Sequence, residues 1–191
     1  MTFRIAVVQP ITHAPGNDEA NVAEAVRHVE RAADQGADFV CFPETYPGPW
    51  RMPATFDPTP TLAEAAVKHG VHVVFGTIEP IDAKVATAHN LIMMAYPDGS
   101  APARYRRTHP NGPWIYTGGP SWEFQYVAGD AFPVFDTRHG KVIPCREGEA
   151  WFVDEFGGFG KLRLFEAHTS QLAGLFDTNP HRNRQRNRAI S

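Results

Sequence analysis

An acidic residue, Glu44, stands at the point where an apolar stretch of the sequence ends. It lies in CFPETYPGPW, residues 41–50, and is followed by two prolines, Pro47 and Pro49. Side chains at strand ends are well placed for chemistry, because ligands of α/β sheets bind beyond the strand termini. A carboxylate there could accept a proton from a reacting group. The alternative is that Glu44 simply begins a polar surface loop.

The chain has two cysteines, and their surroundings differ. Cys41 lies inside DFVCF among apolar neighbours with no adjacent cation, which predicts a buried and unreactive thiol. Cys145 follows another strand-like run and precedes Arg146 and Glu147. A disulfide between the two is possible in principle. In an intracellular chain, however, two thiols are more often one buried residue and one reactive residue.

The composition is that of an ordinary globular protein. Of 191 residues, 42% are hydrophobic and 20% are charged, which predicts one compact core. The formal net charge of -3 gives no electrostatic reason to expect a nucleic-acid or membrane partner. Arg4 interrupts the first apolar run, and no stretch approaches the roughly 20 apolar residues that span a bilayer. We therefore expect a cytoplasmic protein.

Strand-like and helix-like segments alternate along the first part of the chain. One helix is expected to begin at Asn17 or Asp18 and to end at Gly36. A second has capping-box spacing at Thr61 and Glu64 and is expected to end at Gly70. The predicted strands cover residues 3–9, 37–44, 71–79, 89–99, 132–137 and 141–145. This order predicts an α/β sheet, with the continuous apolar run of the first strand placing it in the middle.

Two hairpins are also predicted. The Asp-Gly pair at residues 98–99 should turn the fourth strand into its partner APARYRR, residues 101–107. The short RHG segment, residues 138–140, should join the last two strands.

Seven segments carry a resemblance to a known family. In order, they are RIAVVQ, GADFVCFPETYPG, VVFGTIE, HNLIMMAYPDG, ARYRRTHP, SWEFQYVAGD and FPVFDTRHGKV. Their order and spacing resemble the nitrilase (carbon-nitrogen hydrolase) superfamily over residues 3–142. Each segment alone is a weak signal, whereas seven in sequence are a strong one. The resemblance implies an α-β-β-α sandwich, here incomplete at its C-terminal end, because the second half of the family's fold lies beyond the nucleophile.

The resemblance also implies roles for four residues. The family uses a Cys nucleophile, a Glu general base, a Lys beside the developing negative charge and a second Glu nearby. By this resemblance Glu44 matches the base, Cys145 is the candidate nucleophile, and Glu123 in SWEFQYVAG matches the second carboxylate. A thiol needs such a proton acceptor to become the thiolate that attacks an amide or nitrile carbon. A fixed cation lowers the barrier to the charged intermediate. Glu123 could equally be a surface residue between two aromatics.

This chain departs from the family pattern at two of those positions. Arg107 stands where the family has its Lys, and its planar guanidinium is longer and more delocalised than an ammonium. Cys145 follows Pro144 and comes about two residues earlier than the nucleophile of the family pattern. A shift of two residues displaces its side chain by roughly 6.6 Å along a strand. Two outcomes therefore compete: a working amidase or nitrilase, and a catalytically impaired remnant that acts, if at all, as a binding or interaction protein.

The resemblance ends near Cys145, which divides the chain into residues 1–145, a partial hydrolase domain, and residues 146–191, a divergent tail expected to be poorly ordered. Four arginines alternate with Asn and Gln in HRNRQRNR, residues 181–188. Such ends can bind RNA, but a solvated terminus explains them better on an acidic chain, so a nucleic-acid partner is unlikely.

The expected ligand is a small-molecule amide or nitrile, with no cofactor. His69 and His72 have a spacing that some metal sites use, but the sequence offers no nearby third ligand, so no metal is expected. Four aromatic residues, Trp50, Trp114, Tyr116 and Trp122, could line the pocket or pack in the core. A homo-oligomer is expected, because a sheet without the family's second half needs another cover for its apolar face.

Overall fold

The computed structural model describes residues 3–13, 16–49, 51–82, 87–108, 110 and 125–142, together with the backbone of 152–153 and 159–160. It is a mixed α/β structure. The elements in chain order are β1 (Ile5–Val7), α1 (Ala20–Asp34), β2 (Phe39–Cys41), α2 (Thr59–His69), β3 (His72–Asp82), β4 (Thr87–Ala95), β5 (Ala103–Arg106), β6 (Gln125–Tyr126), β7 (Phe135–Thr137), β8 (Gly140–Val142), β9 (Phe152–Val153) and β10 (Phe159–Gly160).

Six strands form the main sheet, in the order β1-β2-β3-β4-β5 with β6 also paired to β4. The first three strands are parallel, as the strand–helix alternation predicts. β4 runs antiparallel to β3, and β5 runs antiparallel to β4. The carboxyl ends of β2, β3 and β5 therefore point the same way, and the beginning of β4 lies at that same end of the sheet.

The alternation of side chains along the strands divides the core between the two faces of the sheet. On one face Val40, Val73 and Phe75 pack with α1 and α2 in the larger core cluster. On the other face Phe39 and Cys41 pack with side chains of the β7–β8 hairpin. Successive residues of a strand point to opposite faces, so a continuous apolar run is required wherever both faces are covered.

The prediction that β1 lies in the middle of the sheet is wrong for the described residues. β1 pairs with β2, and in this part of the chain nothing pairs with its other edge. Phe3 and Val7 are 42% and 41% exposed. The physical reason is that an apolar run carries no information about which strands pair with its edges, and here part of the run also remains exposed.

The predicted helices are present, but both predicted N-terminal caps are wrong. α1 has Glu19 at its N-cap without a side-chain hydrogen bond, and the Asp18 carboxylate instead accepts from the Gly16 backbone N–H at 3.1 Å. α2 begins at Thr59, two residues before the predicted capping box, with Pro58 at the N-cap. The predicted C-terminal stops are confirmed, because Gly36 and Gly70 have left-handed φ angles of 78° and 68°.

The two predicted hairpins are confirmed, although their strands are shorter than expected. β4 and β5 pair from Leu91↔Arg106 to Met94↔Ala103, and the Gly99 N–H closes the turn on the Tyr96 carbonyl. β7 and β8 pair across the turn at residues 138–139. The last three residues of the predicted strand 141–145 lie outside the described residues.

Candidate active site

Glu44 lies just beyond the carboxyl end of β2, as the sequence predicted. The Phe42 N–H continues the ladder by donating to the Val74 carbonyl at 2.9 Å, and the chain then leaves the strand. Thr45 adopts φ 61°, the left-handed conformation that few residues other than glycine accept. This turn holds the Glu44 side chain partly exposed at 17%, while Thr45 and Tyr46 are buried at 4% and 2%.

A glycine in β3 allows the Glu44 turn to lie directly on the sheet. A Cβ at Gly76 would lie 2.1 Å from the Thr45 nitrogen and 2.6 Å from the Thr45 Cα, distances that real Cβ atoms do not adopt. The Gly76 N–H donates to the Tyr46 carbonyl at 2.8 Å. Backbone therefore packs on backbone here, and Glu44 is fixed relative to β3.

The segment after Glu44 is held by buried side chains from two elements. The Asn21 amide of α1 donates to the Pro47 carbonyl at 3.3 Å, and the Thr77 hydroxyl of β3 donates to the Gly48 carbonyl at 2.8 Å. Asn21 and Thr77 are 0% and 3% exposed. The abrupt Pro-Gly-Pro end of the strand thus forms a buried wall behind the carboxylate instead of a surface loop.

Arg107 follows β5 and is the largest fully buried side chain in the described part of the chain, at 1% exposure. Its backbone N–H donates to the Asn90 carbonyl at 2.9 Å, and its carbonyl accepts from the Gly129 N–H at 2.8 Å. Its guanidinium Nη1 forms an ion pair with Glu44 Oε1. Residues that are 63 positions apart in the chain therefore meet at one end of the sheet.

A second glycine, Gly129, allows close backbone packing beside Arg107, as Gly76 does beside Glu44. A Cβ at Gly129 would lie 2.2 Å from the Arg106 carbonyl oxygen and 2.7 Å from the Arg106 Cβ. The segment after β6 can therefore lie against the end of β5 only because residue 129 has no side chain.

The two neighbouring arginines have different environments. Arg106 points to the surface, where its guanidinium bonds both oxygens of Glu79 at 2.6 and 3.1 Å. That contact lowers the pKa of the Glu79 carboxyl. Arg107 points to the buried side and meets Glu44. Arg106 is therefore the solvated residue of the pair and Arg107 the buried one.

Two further side chains surround Glu44, and the sequence reasoning missed both. Asn90 of β4 is 0% exposed, and its amide nitrogen donates to Glu44 Oε1 at 2.8 Å. The Tyr126 phenol of β6 has a raised pKa, first because it is buried and second because the Glu44 charge faces it. A polar residue inside the apolar run HNLIMMA is a signal that could have identified Asn90. The sequence around Tyr126 carries no comparable signal.

The other sequence-predicted site residues lie outside the described residues. These are Cys145 and Glu123, and the four candidate pocket aromatics named above lie outside them too. The structure thus places Glu44 and Arg107 together and does not test the other two.

Cys41 has the environment that the sequence predicted. It is 2% exposed within β2, and burial raises the pKa of its thiol to about 12. Since the thiolate is the reactive form of cysteine, this residue is inert at neutral pH. It lies on the face of the sheet that packs against β7 and β8.

Within the described segments, no group of three or more His, Cys, Asp or Glu side chains is arranged to hold a metal ion. In the same segments, no helix combines the length and the apolar character needed to cross a bilayer. The Glu44 site itself presents a carboxylate beside a buried cation.

Comparison with known proteins identifies the family. The family model described as carbon-nitrogen hydrolase matches residues 4–149, a range that includes Glu44, Arg107, Glu123 and Cys145. The chain belongs to the carbon-nitrogen hydrolase family. This result agrees with the resemblance seen in the sequence, and the match continues four residues beyond Cys145.

Among the curated relatives of this chain, the omega-amidase NIT2 of Mus musculus is 29% identical over 154 residues, which cover 74% of this chain and 53% of the relative. The omega-amidase NIT2 of Danio rerio is 31% identical over 117 residues, covering 56% of this chain and 40% of the relative. The chain therefore spans about half the length of the curated relatives that it matches, or less.

Solved structures agree with the fold class. An amidase from Nesterenkonia sp. AN1 superimposes with a TM-score of 0.58 and 20% identity, covering 74% of this chain and 54% of that chain. Another structure, of an amidase from Nesterenkonia sp., gives a TM-score of 0.53 and 19% identity, with coverage of 71% and 51%. The described residues thus have the nitrilase-like fold, and the chain matches about half of each of these amidases.

Proposed function

We propose that this carbon-nitrogen hydrolase cleaves a small amide through a cysteine thioester. Cys145 attacks the carbonyl carbon, and Glu44 accepts the thiol proton and passes it to the leaving ammonia. Arg107 stabilises the negative charge on the oxygen, and Glu123 supports the charged intermediate. Water then hydrolyses the thioester and releases the acid, with Glu44 accepting the proton of the water.

The observation that carries this proposal is the contact between Glu44 and Arg107. A carboxylate with 17% exposure is accessible enough to exchange a proton, and a guanidinium with 1% exposure is shielded from water. Charge interactions in a shielded site are stronger than in water, which is the condition for stabilising a developing oxyanion. The packing of the sheet does not by itself require a charged side chain at either position.

The relatives support small carboxamides as the substrate class. The curated relatives named above are omega-amidases, and one of the solved amidases is in complex with butyramide. Small carboxamides are therefore the first substrates to test, ahead of nitriles and carbamoyl compounds. A homo-oligomer, a cytoplasmic location and the division at residue 145 remain predictions.

The test is ammonia release by the purified full chain with a panel of small amides, beside the variants Glu44→Gln and Cys145→Ser. Turnover by the unmodified chain that is lost in both variants supports the proposal. Turnover that survives Cys145→Ser contradicts the thioester mechanism, and no turnover in the unmodified chain favours an impaired family member.

A covalent probe tests the nucleophile independently of turnover. In a variant of the Nesterenkonia sp. AN1 amidase, acrylamide adds to the active-site cysteine, so acrylamide is a suitable probe here. We expect peptide mass spectrometry to find the adduct on Cys145 and not on the buried Cys41. A native chain in which Cys145 forms no adduct would contradict its role as the nucleophile.

A further inference from the structure

Within the described residues, no strand pairing joins the β7–β8 hairpin to the main sheet. β7 and β8 form a two-stranded sheet that is separate from the six-stranded one. Phe135 and Val142 of the hairpin pack on the sheet in the same cluster as Phe39 and Cys41. A two-stranded hairpin has little stability by itself. Its place on the sheet therefore depends on these side-chain contacts and on those of its turn.

The turn of the hairpin brings a histidine against a buried histidine of the sheet. The centroid of the His139 ring lies 5.8 Å from that of His72 and 5.5 Å from that of Phe39. His72 is 2% exposed, and its ring stacks on Phe39 at 4.5 Å with an interplanar angle of 15°. Tyr96 also contacts the His72 ring, at 5.9 Å. Histidine is the side chain whose charge ordinarily changes between about pH 5 and pH 8, so this interface contains two groups of that kind.

The charges around His72 are divided between the hairpin and the sheet. Arg138 and His139 belong to the hairpin turn, and Arg138 Nη2 and His139 Nε2 lie 3.5 and 3.4 Å from Asp38 Oδ1. Asp38 precedes β2, and its backbone carbonyl lies 3.3 Å from His72 Nδ1. Asp98, in the β4–β5 turn, also acts on His72. The cationic groups thus stand on the hairpin, and the carboxylates stand on the sheet.

We propose that the contact between His72 and His139 is an acid-sensitive latch. It holds the β7–β8 hairpin on the sheet while His72 is neutral, and it releases the hairpin when His72 takes up a proton. A charged ring at this buried position is costly unless it becomes hydrated. The hairpin carries the positive groups that repel such a charge, and it is the covering element without strand pairing to the sheet. Moving the hairpin away is therefore the change that hydrates the ring.

The direction of the pH dependence follows from the surroundings of His72. Burial lowers the pKa of His72 most, and the positive charges of Arg138 and His139 lower it further, against the raising effects of the Asp38 hydrogen bond and of Asp98. A histidine whose pKa is lowered in the closed state stabilises that state above its ordinary pKa of about 6.5. This contribution is lost as the pH falls below that value, so acid favours the open hairpin.

The ion pairs of Asp38 oppose release. The pKa of Asp38 is lowered, first by the hydrogen bond from the Arg4 backbone N–H, so this carboxylate stays charged at pH values at which a histidine is protonated. Arg138 also donates to the Gly70 carbonyl at 3.3 Å. However, the Arg138 and Asp38 side chains are 53% and 27% exposed, and ion pairs with such exposure contribute little. Burial of a charge on His72 costs more than these contacts return.

The latch lies close in sequence to the proposed nucleophile. β8 ends at Val142, three residues before Cys145. A link from the latch to catalysis rests on the proposed function, whereas the latch itself does not. The experiments below therefore use no substrate, and their outcome is independent of whether the chain hydrolyses an amide.

Cys41 reports the opening of the hairpin, because it is 2% exposed and packs in the same cluster as Phe135. The full chain is treated with dithiodipyridine, which modifies thiols at acid as well as neutral pH, and peptide mass spectrometry separates the adduct on Cys41 from that on Cys145. The rate for the native chain is divided by the rate for the urea-unfolded chain at the same pH. We expect this ratio to rise by roughly fivefold or more between about pH 7.5 and about pH 5.5. A ratio that does not change overturns the proposal.

Two variants and a control test the assignment to His72. His72→Phe keeps an aromatic ring that cannot take up a proton, and His72→Gln covers failure of that variant to fold. We expect the Cys41 ratio to be independent of pH in both. The control is His28→Phe, which removes a histidine in contact with Phe42 on the other face of the sheet and should keep the rise. A rise in either His72 variant equal to that of the unmodified chain overturns the proposal.

Hydrogen exchange separates opening of the hairpin from unfolding of the whole chain. After correction for the intrinsic rate at each pH, amides of residues 135–142 should lose protection by roughly fivefold or more at the lower pH. Amides of α1 should keep their protection. Equal loss of protection in both segments shows acid unfolding of the whole chain and overturns the latch.

Discussion

Replacing Gly76 with alanine should separate the position of Glu44 from its chemistry. The new methyl group would lie 2.1 Å from the Thr45 nitrogen and 2.6 Å from the Thr45 Cα, whereas ordinary contact begins at 3.4 Å. The obstacle is backbone, so the Glu44 turn must move away from β3 by roughly 1 Å. That shift also stretches the hydrogen bond from Gly76 to the Tyr46 carbonyl.

Two measurable losses follow for Gly76→Ala. Overpacking and the weakened hydrogen bond should lower the free energy of unfolding by about 2–4 kcal/mol, measured by urea denaturation. A displacement of about 1 Å at the proton acceptor should lower kcat/KM for a small amide about a hundredfold, measured by ammonia release. Both losses arise although no charged or nucleophilic group is changed.

The matched control is Gly70→Ala. Gly70 ends α2 with φ 68° and has no atom within 4 Å of its Cβ position, so alanine adds backbone strain of about 1–2 kcal/mol without a collision. We expect this control to lower stability and to leave kcat/KM within about twofold of the unmodified chain, since a surface substitution far from the site affects binding and chemistry little. If Gly76→Ala loses no more activity than Gly70→Ala, the conclusion that Gly76 positions Glu44 is refuted.

Three further predictions concern charge and reactivity. Arg107→Leu should lower kcat/KM about a hundredfold or more. Arg107→Lys should retain more activity, because the cation beside Glu44 is kept. Equal losses of kcat/KM in the two variants, measured by steady-state kinetics, would contradict this. In the native protein, Cys41 should not react with iodoacetamide at pH 8, since burial raises its pKa to about 12. It should react once the chain is unfolded. An adduct on Cys41 of the native protein, found by mass spectrometry, would contradict this prediction. The Arg4 backbone N–H lowers the pKa of Asp38, so Asp38 stabilises the fold above its ordinary pKa of about 4 and this contribution is lost as pH falls further. Asp38→Asn should therefore cost up to about 1 kcal/mol at pH 7 and less near pH 2 in urea titrations, and a cost independent of pH would be inconsistent with this linkage.

The local elements were largely predictable because their signals are local. Gly36 and Gly70 end helices because the left-handed conformation suits glycine, and that requirement is visible in the sequence. The Asp-Gly turn before β5 is of the same kind. The predicted N-terminal cap of α1 is wrong because the Asp18 carboxylate accepts from the Gly16 N–H instead. Nearby backbone groups compete for a short acidic side chain in a way that spacing does not reveal.

The candidate site was predictable only in part. Glu44 and Arg107 were identified by resemblance to a family, and the structure places them in contact. Asn90 and Gly76 were missed, although each interrupts an apolar strand run and could have been noticed. Tyr126 could not have been found, because a tyrosine beside apolar residues is typical of any strand.

What the sequence determined by itself is the set of chemical groups, the alternation of strands and helices, and the ends of the helices. These depend on interactions between residues a few positions apart. What only the tertiary structure decided is which groups meet: that Arg107 turns inward while Arg106 turns outward, that Asn90 reaches Glu44, and that two glycines let the backbones approach. The physical reason is that these contacts join residues 17 to 63 positions apart, and strand register across the sheet sets them.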